Sequence, residues 1–398
     1  MSNWKEVQKD LIDKSIHSEK IDVVEENIST GRIHGAIYYK KAIKPSRGVL
    51  LVHGFSRNRY TMSILAKRLA EYGFFCLSID MPEHYLNTST FSMGELSETI
   101  TEGVLLIKNN FNIHRVAVIG HSVGAVGSLF SNAGYNIQIE NNIFSMWNEL
   151  SKLIDKEAEL ISADANSTTL ILLNQNIESR YTDLKKLILL TLKKGIQEHA
   201  DVSCYVFLAP PANVKKSIPA LSLLNKLNHK WKKRILERLL HNAQVKRIYA
   251  EGNIVHYVPE NKENYIYWQF FKTKDGGDFM EYMLDLKEPT DFLTLVEDMA
   301  RFKHKDDKTN FFEYYQKKYL LAKPKLFIYG KRDMFLRPFM PFVANRLEKF
   351  YSSCGNAKIY YGDFSHNMMN DPKQHFSSVA LENDEVTGLI IQFLDSNC

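Results

Sequence analysis

The sequence has few of the features that mark exported, membrane-spanning or metal-dependent proteins. Its four cysteines lie far apart, without the paired spacing of a zinc site or a disulfide framework. No apolar run approaches the length of a membrane span, and the charged amino terminus lacks the apolar stretch of a secretory signal. There is no H-E-x-x-H spacing and no Gly-rich phosphate loop. We therefore expect a cytoplasmic protein that uses no metal and no other cofactor.

The charge balance is close to neutral for a chain of 398 residues. A formal net charge of +5 gives no reason to propose binding to nucleic acid. Hydrophobic residues make up 44% and charged residues 24%, as in ordinary globular domains that bury a sizeable core. The length suits one large α/β domain with an inserted second unit.

Short apolar runs alternate with helical patterns along the chain. Such runs are typical of parallel strands that are buried on both faces. Helical spacing over Thr61–Tyr72 and after a capping box at Ser92 and Glu95 separates the first of them. The sequence thus predicts an α/β fold, with a mostly parallel central sheet and helices on both faces. The predicted strands are Gly48–Val52, Phe74–Ile79, Val116–Ile119, Ser203–Leu208, Lys325–Tyr329 and Ala357–Tyr361.

Two irregular stretches interrupt this alternation and suggest large helical insertions that form a lid. The first is rich in Leu and Asn, and the second is rich in aromatic residues that could line an apolar pocket or form the core of the lid itself. We therefore divide the chain into five parts. They are an N-terminal part of the core (1–134), a helical insertion (135–200), a core strand (201–212), a lid or cap domain (213–322) and a C-terminal part of the core (323–398).

The sequence Gly120-His121-Ser122-Val123-Gly124 fits the G-x-S-x-G pattern between a predicted strand and a predicted helix. In a strand-to-helix turn of this kind the serine is held in a strained conformation and the flanking glycines avoid collisions with neighbouring backbone. A Gly-rich turn whose only role is to pack a helix on the sheet could have the same sequence pattern. The pattern therefore becomes informative only with partners for the serine.

A serine hydroxyl needs a nearby base, and the base needs a carboxylate that fixes its tautomer. His366 and Asp333 each follow a predicted strand, at the sheet edge where open α/β folds place their sites. Taken singly, Asp333 could be a helix cap and His366 an ordinary loop histidine. The order Ser, Asp, His along the chain favours a catalytic triad. Asp80, after the predicted strand Phe74–Ile79, is the alternative acid, but the whole Gly-x-x-Asp turn that ends at Asp333 favours Asp333.

These pieces resemble the α/β-hydrolase superfamily, in particular its monoacylglycerol lipase and lysophospholipase-like members. The resemblance covers the core and not the insertions. It implies that the backbone N–H groups of Phe55 and Val123 form an oxyanion hole. Besides the Ser122 turn and His366, the matching pieces are Leu51-Val52-His53-Gly54-Phe55, Asp80-Met81-Pro82, Leu208-Ala209-Pro210-Pro211 and Tyr329-Gly330-Lys331-Arg332-Asp333.

One departure from the family lies beside the expected site, where Pro82 is followed by Glu83-His84-Tyr85 and not by Gly-x-Gly. His84 could contact substrate or could be a locally bonded loop histidine. The candidates for the substrate pocket are His53, Ser56, His84, Pro210 and Met334.

The segment between Pro211 and Ala250 is strongly basic, with ten Lys or Arg residues against the single acid Glu237. Its leucines suit one or two amphipathic helices. Residues 215–247 could dock an anionic membrane surface or an acyl carrier protein, or could form a solvated face.

The triad predicts a serine hydrolase that cleaves a carboxylic ester, with an apolar acyl group, through an acyl-serine intermediate. A thioesterase or acyltransferase that takes acyl groups from a carrier would use the same residues, as would an amidase or a C–C bond hydrolase. A ligand-binding protein of this fold without catalysis is the remaining alternative.

Overall fold

The computed structural model describes most of the predicted α/β core and parts of both insertions. Its description covers 23–54, 57–82, 84, 86–89, 91–132, 136–163, 168–180, 182–183, 202–210, 245–251, 254–259, 268–270, 323–333, 356–368, 379–380 and 383–398.

The described strands form two sheets. The central sheet has eight strands in the order β1-β2-β4-β3-β5-β6-β10-β11, and β2 alone runs against the others. The smaller sheet is antiparallel, in the order β7-β8-β9. The strands are β1 Val23–Thr30, β2 Ile33–Lys40, β3 Arg47–Val52, β4 Phe75–Ile79, β5 Arg115–His121, β6 Cys204–Leu208, β7 Val245–Glu251, β8 Ile254–Pro259, β9 Trp268–Phe270, β10 Lys325–Gly330 and β11 Ala357–Gly362.

The helix boundaries follow local sequence signals. The Ser92 hydroxyl accepts the N–H of Glu95 at 3.1 Å and so caps the second helix, as its sequence predicts. Gly73 follows the first helix with φ +88, a conformation that glycine adopts without strain. The helices are α1 Ser63–Glu71, α2 Met93–Asn110, α3 Val123–Asn132, α4 Ile137–Ser162 and α5 Asp384–Asn397, and residues 168–180 are also helical.

Both faces of the central sheet are buried. The alternating side chains of β3 show this, because they point to opposite faces of the sheet. A Cβ at Gly48 would meet Ile107 of α2, and Leu50 lies against Gly103 of the same helix. Val49 and Leu51 point to the opposite face and are fully buried. The predicted parallel sheet with helices on both faces is therefore confirmed, with strand bounds within one or two residues of those expected.

The second insertion departs from the prediction. We expected a helical lid over 213–322 and helices across the basic segment, but Val245–Glu251 is a strand and so are the other described residues of this part, β8 and β9. Val, Ile and Tyr make up seven of the 13 residues of β7 and β8, and the sequence Gly-Asn at 252–253 is of a kind that favours hairpins. The helix expected there is wrong, because β-branched and aromatic residues on both sides of a Gly-Asn pair favour an antiparallel strand pair.

Several predicted features lie outside the described residues. The sequence predicts helices at 2–20 and at 337–352, and both lie outside the described residues together with most of the basic segment 215–247. In the first insertion, 135–200, the described residues 137–162 and 168–180 are helical as predicted. Within the described part of the chain, no helix combines the length and the apolar character needed to cross a membrane.

Candidate active site

Ser122 occupies the turn between the end of β5 and the start of α3. Its φ is +52, a left-handed conformation that is uncommon and strained for a residue with a side chain. Strain of this kind costs roughly 1–3 kcal/mol and concentrates at functional sites. The N–H of Ser122 donates to the carbonyl of Leu208 at 2.8 Å, and the carbonyl of Ser122 accepts from Ala125 and Val126 of α3. The strained turn is thus held by the neighbouring strand on one side and by the helix on the other.

The glycines on either side of Ser122 are required by close backbone contacts. A Cβ at Gly120 would lie 2.5 Å from the Cα of Ala125, and a Cβ at Gly124 would lie 2.6 Å from the carbonyl oxygen of Val52. Backbone atoms cannot move aside cheaply, so any side chain at these positions would force the turn to change. This is the physical reason for the G-x-S-x-G spacing in this chain.

The register of β10 and β11 brings Asp333 and His366 to one place. Gly330 pairs with Gly362 at the ends of these parallel strands, so the two following loops leave the sheet side by side. The N–H of Lys331 donates to the carbonyl of Gly362 at 2.8 Å. A Cβ at Gly330 would lie 2.5 Å from the carbonyl oxygen of Ser365. Glycine at 330 therefore lets the loop that carries His366 approach the loop that carries Asp333.

His366 and Asp333 are joined by a short, buried hydrogen bond. His366 Nδ1 lies 2.6 Å from Asp333 Oδ2, with Asp333 fully buried and His366 8% exposed. An ionised carboxylate only accepts hydrogen bonds, so Nδ1 of His366 is the donor. In the neutral ring Nε2 is then the basic nitrogen, the tautomer that a general base for a serine requires.

Asp80, the alternative acid, has another partner. Its carboxylate accepts from the backbone N–H of Arg59 at 2.8 Å, from Arg59 Nε at 2.9 Å and from an Arg59 terminal nitrogen at 2.6 Å. Both side chains are buried, and Arg59 also donates to the carbonyl of Gly35. Asp80 therefore belongs to a buried ion pair, and Asp333 is the carboxylate that meets His366.

The turn that carries Ser122 is connected to the His366 loop by His121. Its Nε2 lies 3.0 Å from the carbonyl oxygen of His366, and the two rings meet edge to face with centroids 5.0 Å apart. The chain neighbour of Ser122 therefore contacts the residue expected to act as its base.

Of the two residues expected to form the oxyanion hole, the structure describes Val123 but not Phe55. Val123 is the first residue of α3, and the N–H groups of a first helical turn have no acceptor within the helix. The partial positive charge of a helix amino terminus also favours an anion at this point. Phe55 lies outside the described residues.

Two of the pocket candidates are buried histidines that bond to the protein. His53 is fully buried. Its Nε2 accepts the N–H of Met81 at 3.0 Å, and its Nδ1 lies 2.7 Å from the carbonyl of Gly54, so both ring nitrogens are occupied. His84 is also fully buried, with Nδ1 2.7 Å from the carbonyl of Pro82. Its ring packs on that of His53 at 5.2 Å. This geometry matches a locally bonded loop histidine.

The other pocket candidates give less information. Pro210 follows β6, and its carbonyl accepts the buried hydroxyl of Tyr329 at 2.5 Å. Ser56 and Met334 lie outside the described residues. Among the residues that the structure does describe, no group of three or more His, Cys, Asp or Glu could hold a metal ion.

The buried histidines predict a loss of stability in acid. Burial lowers the pKa of His84 from 6.5 to about 4, and burial also lowers the pKa values of His53 and His121 well below the ordinary value. As the pH falls from 6.5 to 4, His84 becomes protonated in the unfolded chain but stays largely neutral in the folded chain. Protonation therefore favours the unfolded state, and the free energy of unfolding decreases. His84 alone should contribute a loss of about 3 kcal/mol over this range.

Urea unfolding at neutral pH and at about pH 4.5 measures this effect. We expect His84→Gln to show a smaller loss between the two pH values than the parent chain. His114→Gln is the matched control, because His114 is exposed. Equal losses for the parent chain and His84→Gln would contradict the assignment.

The order of the strands in the central sheet, with β2 as its one antiparallel member and the serine turn directly after β5, identifies the architecture. The fold is that of the α/β hydrolases. The fold expected from the resemblance is therefore confirmed by the sheet itself.

Comparisons with known proteins give only distant similarity. No family model and no curated protein matches the sequence. An esterase of Pyrococcus furiosus is 13% identical, with 100% of this chain aligned to 95% of that chain at a TM-score of 0.48. An esterase of Exiguobacterium antarcticum is 10% identical over 92% of this chain and 100% of that chain, with a TM-score of 0.42. A thioesterase domain from the curacin biosynthetic pathway is 11% identical over 93% and 99%, with a TM-score of 0.41. Because these values are low, the fold assignment rests on the strand order.

Sequence reasoning missed two residues that organise the site. The sequence does not predict the salt bridge between Arg59 and Asp80, because no local pattern indicates a contact between residues 21 positions apart. The sequence marks His121 only as a member of the serine turn. Its position directly before Ser122 was visible, but its contact with a residue 245 positions away was not.

Proposed function

We propose that the chain is a serine hydrolase that cleaves a carboxylic ester. The observation that carries the proposal is the buried bond from His366 Nδ1 to Asp333 Oδ2, at the same sheet edge as the strained Ser122 turn. A buried carboxylate that holds an imidazole in this tautomer prepares Nε2 to accept a proton from a hydroxyl.

In the proposed reaction, the Ser122 hydroxyl attacks the ester carbonyl while His366 takes its proton. The tetrahedral oxyanion is stabilised by the backbone N–H groups of Val123 and Phe55, each contributing about 3 kcal/mol. His366 then returns the proton to the departing alcohol, and Asp333 stabilises the imidazolium between these steps. Water attacks the acyl-Ser122 ester by the same route and releases the acid.

A labelling experiment tests the nucleophile without knowledge of the natural substrate. A fluorophosphonate should modify the purified protein at one residue, and peptide mapping should find the label on Ser122. Absence of label from the folded protein would contradict the proposal and would favour a ligand-binding protein of the same fold.

Product analysis tests the reaction class. With p-nitrophenyl esters and an added alcohol, we expect free carboxylic acid as the main product, because water is the proposed acceptor. A new ester as the main product would identify an acyltransferase instead. An acyl-thioester turned over much faster than the matched oxygen ester would identify a thioesterase.

The acyl chain is tested by a series of p-nitrophenyl esters from acetate to decanoate. Each buried methylene contributes about 0.8 kcal/mol, so an apolar acyl site should raise kcat/KM by up to roughly fourfold per carbon until the site is full. A series without any increase would contradict the expected apolar acyl group.

A further inference from the structure

The side chain of His121 forms a hydrogen bond to His366 that is separate from the hydrogen bond between His366 and Asp333. Asp333 bonds to the ring of His366, whereas His121 bonds to its main-chain carbonyl. The two contacts come from different strands, because Asp333 follows β10 and His121 ends β5. Because His366 is hydrogen-bonded both at its ring and at its backbone carbonyl, it has less freedom to move away from Ser122.

The protonation state of His121 follows from its partner. A carbonyl oxygen only accepts hydrogen bonds, so Nε2 of His121 must carry a proton and donate it. The ring is 2% exposed, and its Nδ1 has no hydrogen-bond partner among the residues that the structure describes. A Cβ at Gly54 would lie 2.7 Å from that Nδ1, so the ring is packed closely against the Gly54 backbone. His121 is therefore a neutral donor wedged between Gly54 and His366.

The proposed reaction is favoured when the ring of His121 is neutral. His366 carries a positive charge when it has accepted the proton of Ser122, and a charged neighbour 5.0 Å away would oppose that step. Burial and the nearby His366 both lower the pKa of His121 well below its ordinary value, so the neighbour stays uncharged.

We propose that His121 is a positioning residue that sets the distance between Ser122 and His366 by holding the carbonyl of His366. This inference rests on the proposed function. The nucleophile and the base sit on separate loops, and His121 links them directly, one residue from the hydroxyl. Displacement of a base by about 1 Å can cost roughly 100-fold in rate.

The test compares a variant that removes the donor with one that keeps it. His121→Phe keeps a ring of similar size without a donor, and we expect kcat per active site to fall about 10- to 100-fold with KM nearly unchanged. His121→Gln places an amide N–H₂ near the position of Nε2 and should recover most of that loss. If His121→Phe does not fold, His121→Asn replaces it, because its amide is too short to reach the carbonyl of His366.

Active sites are counted by fluorophosphonate titration, so that a loss of folded protein is not read as a loss of rate. Ile119→Val, a buried change on the same strand, is the stability control and should keep kcat per titrated site. Unchanged kcat in the donorless variant, or equal losses in it and His121→Gln, would overturn the inference. Label that persists in Ser122→Ala would instead overturn the proposed function, so the two failures are distinguishable.

Discussion

Ser122→Ala should lower kcat for short p-nitrophenyl esters by about 10⁶-fold, the largest effect expected of any single change in this chain. The variant removes the hydroxyl that we propose forms the acyl-enzyme, while the backbone N–H groups at the start of α3 remain. Substrate binding should therefore survive. Stopped assays over long incubations, with titrated protein, measure the residual rate.

Ser131→Ala is the matched control for this experiment, because Ser131 lies on the helix that follows the Ser122 turn and its hydroxyl is 3.0 Å from that of Thr101. It should keep the activity of the parent chain. Full turnover of the esters by Ser122→Ala would refute the assignment of the nucleophile.

Asp333→Asn should lower kcat by about 10⁴-fold while leaving the fold intact. The amide has nearly the size of the carboxylate, but its nitrogen can donate to Nδ1 of His366. The histidine would then carry its proton on Nε2 and could no longer accept one from Ser122. The remaining carboxamide would also give no stabilisation to the imidazolium. Steady-state kinetics and thermal unfolding of the same samples separate the two kinds of effect.

The control for the second prediction is Asp363→Asn. Asp363 is an exposed acid in the loop that carries His366 and pairs with Arg332 at 3.0 Å. Exposed pairs of this kind contribute about 0–1 kcal/mol, so neither kcat nor stability should change much. If Asp333→Asn were as active as Asp363→Asn, the carboxylate at 333 would have no role in the reaction.

The two predictions depend on the choice of Asp333 over Asp80 as the acid, which the sequence favours only through the Gly330-Lys331-Arg332-Asp333 turn. Asp80 and Asp333 both follow buried strands whose carboxyl ends lie at the same edge of the sheet. The structure separates them through their partners, since Asp80 is taken by Arg59 and Asp333 by His366. Removing one partner of the buried Asp80 pair would cost about 3–5 kcal/mol of stability and would report on folding, not on chemistry.

Much of the core could be predicted because local signals and tertiary structure agree there. Strands buried on both faces appear as unbroken apolar runs, and the capping residues Ser92 and Gly73 mark their helices within a few positions. The insertions were harder. The basic content and the leucines of 215–247 predict helices, and the lid over 213–322 is expected to be helical, whereas residues 245–251 and 254–259 form antiparallel strands.

The sequence by itself determined the mostly parallel sheet, the serine turn and the three residue types of the site, because these depend on short patterns of burial, glycine and strand ends. Only the tertiary structure decided which carboxylate meets His366, that the ring of His121 holds its carbonyl, and that His53 and His84 bond to the protein. Those outcomes depend on strand register, which brings residues far apart in the chain into contact, and no local pattern encodes that proximity.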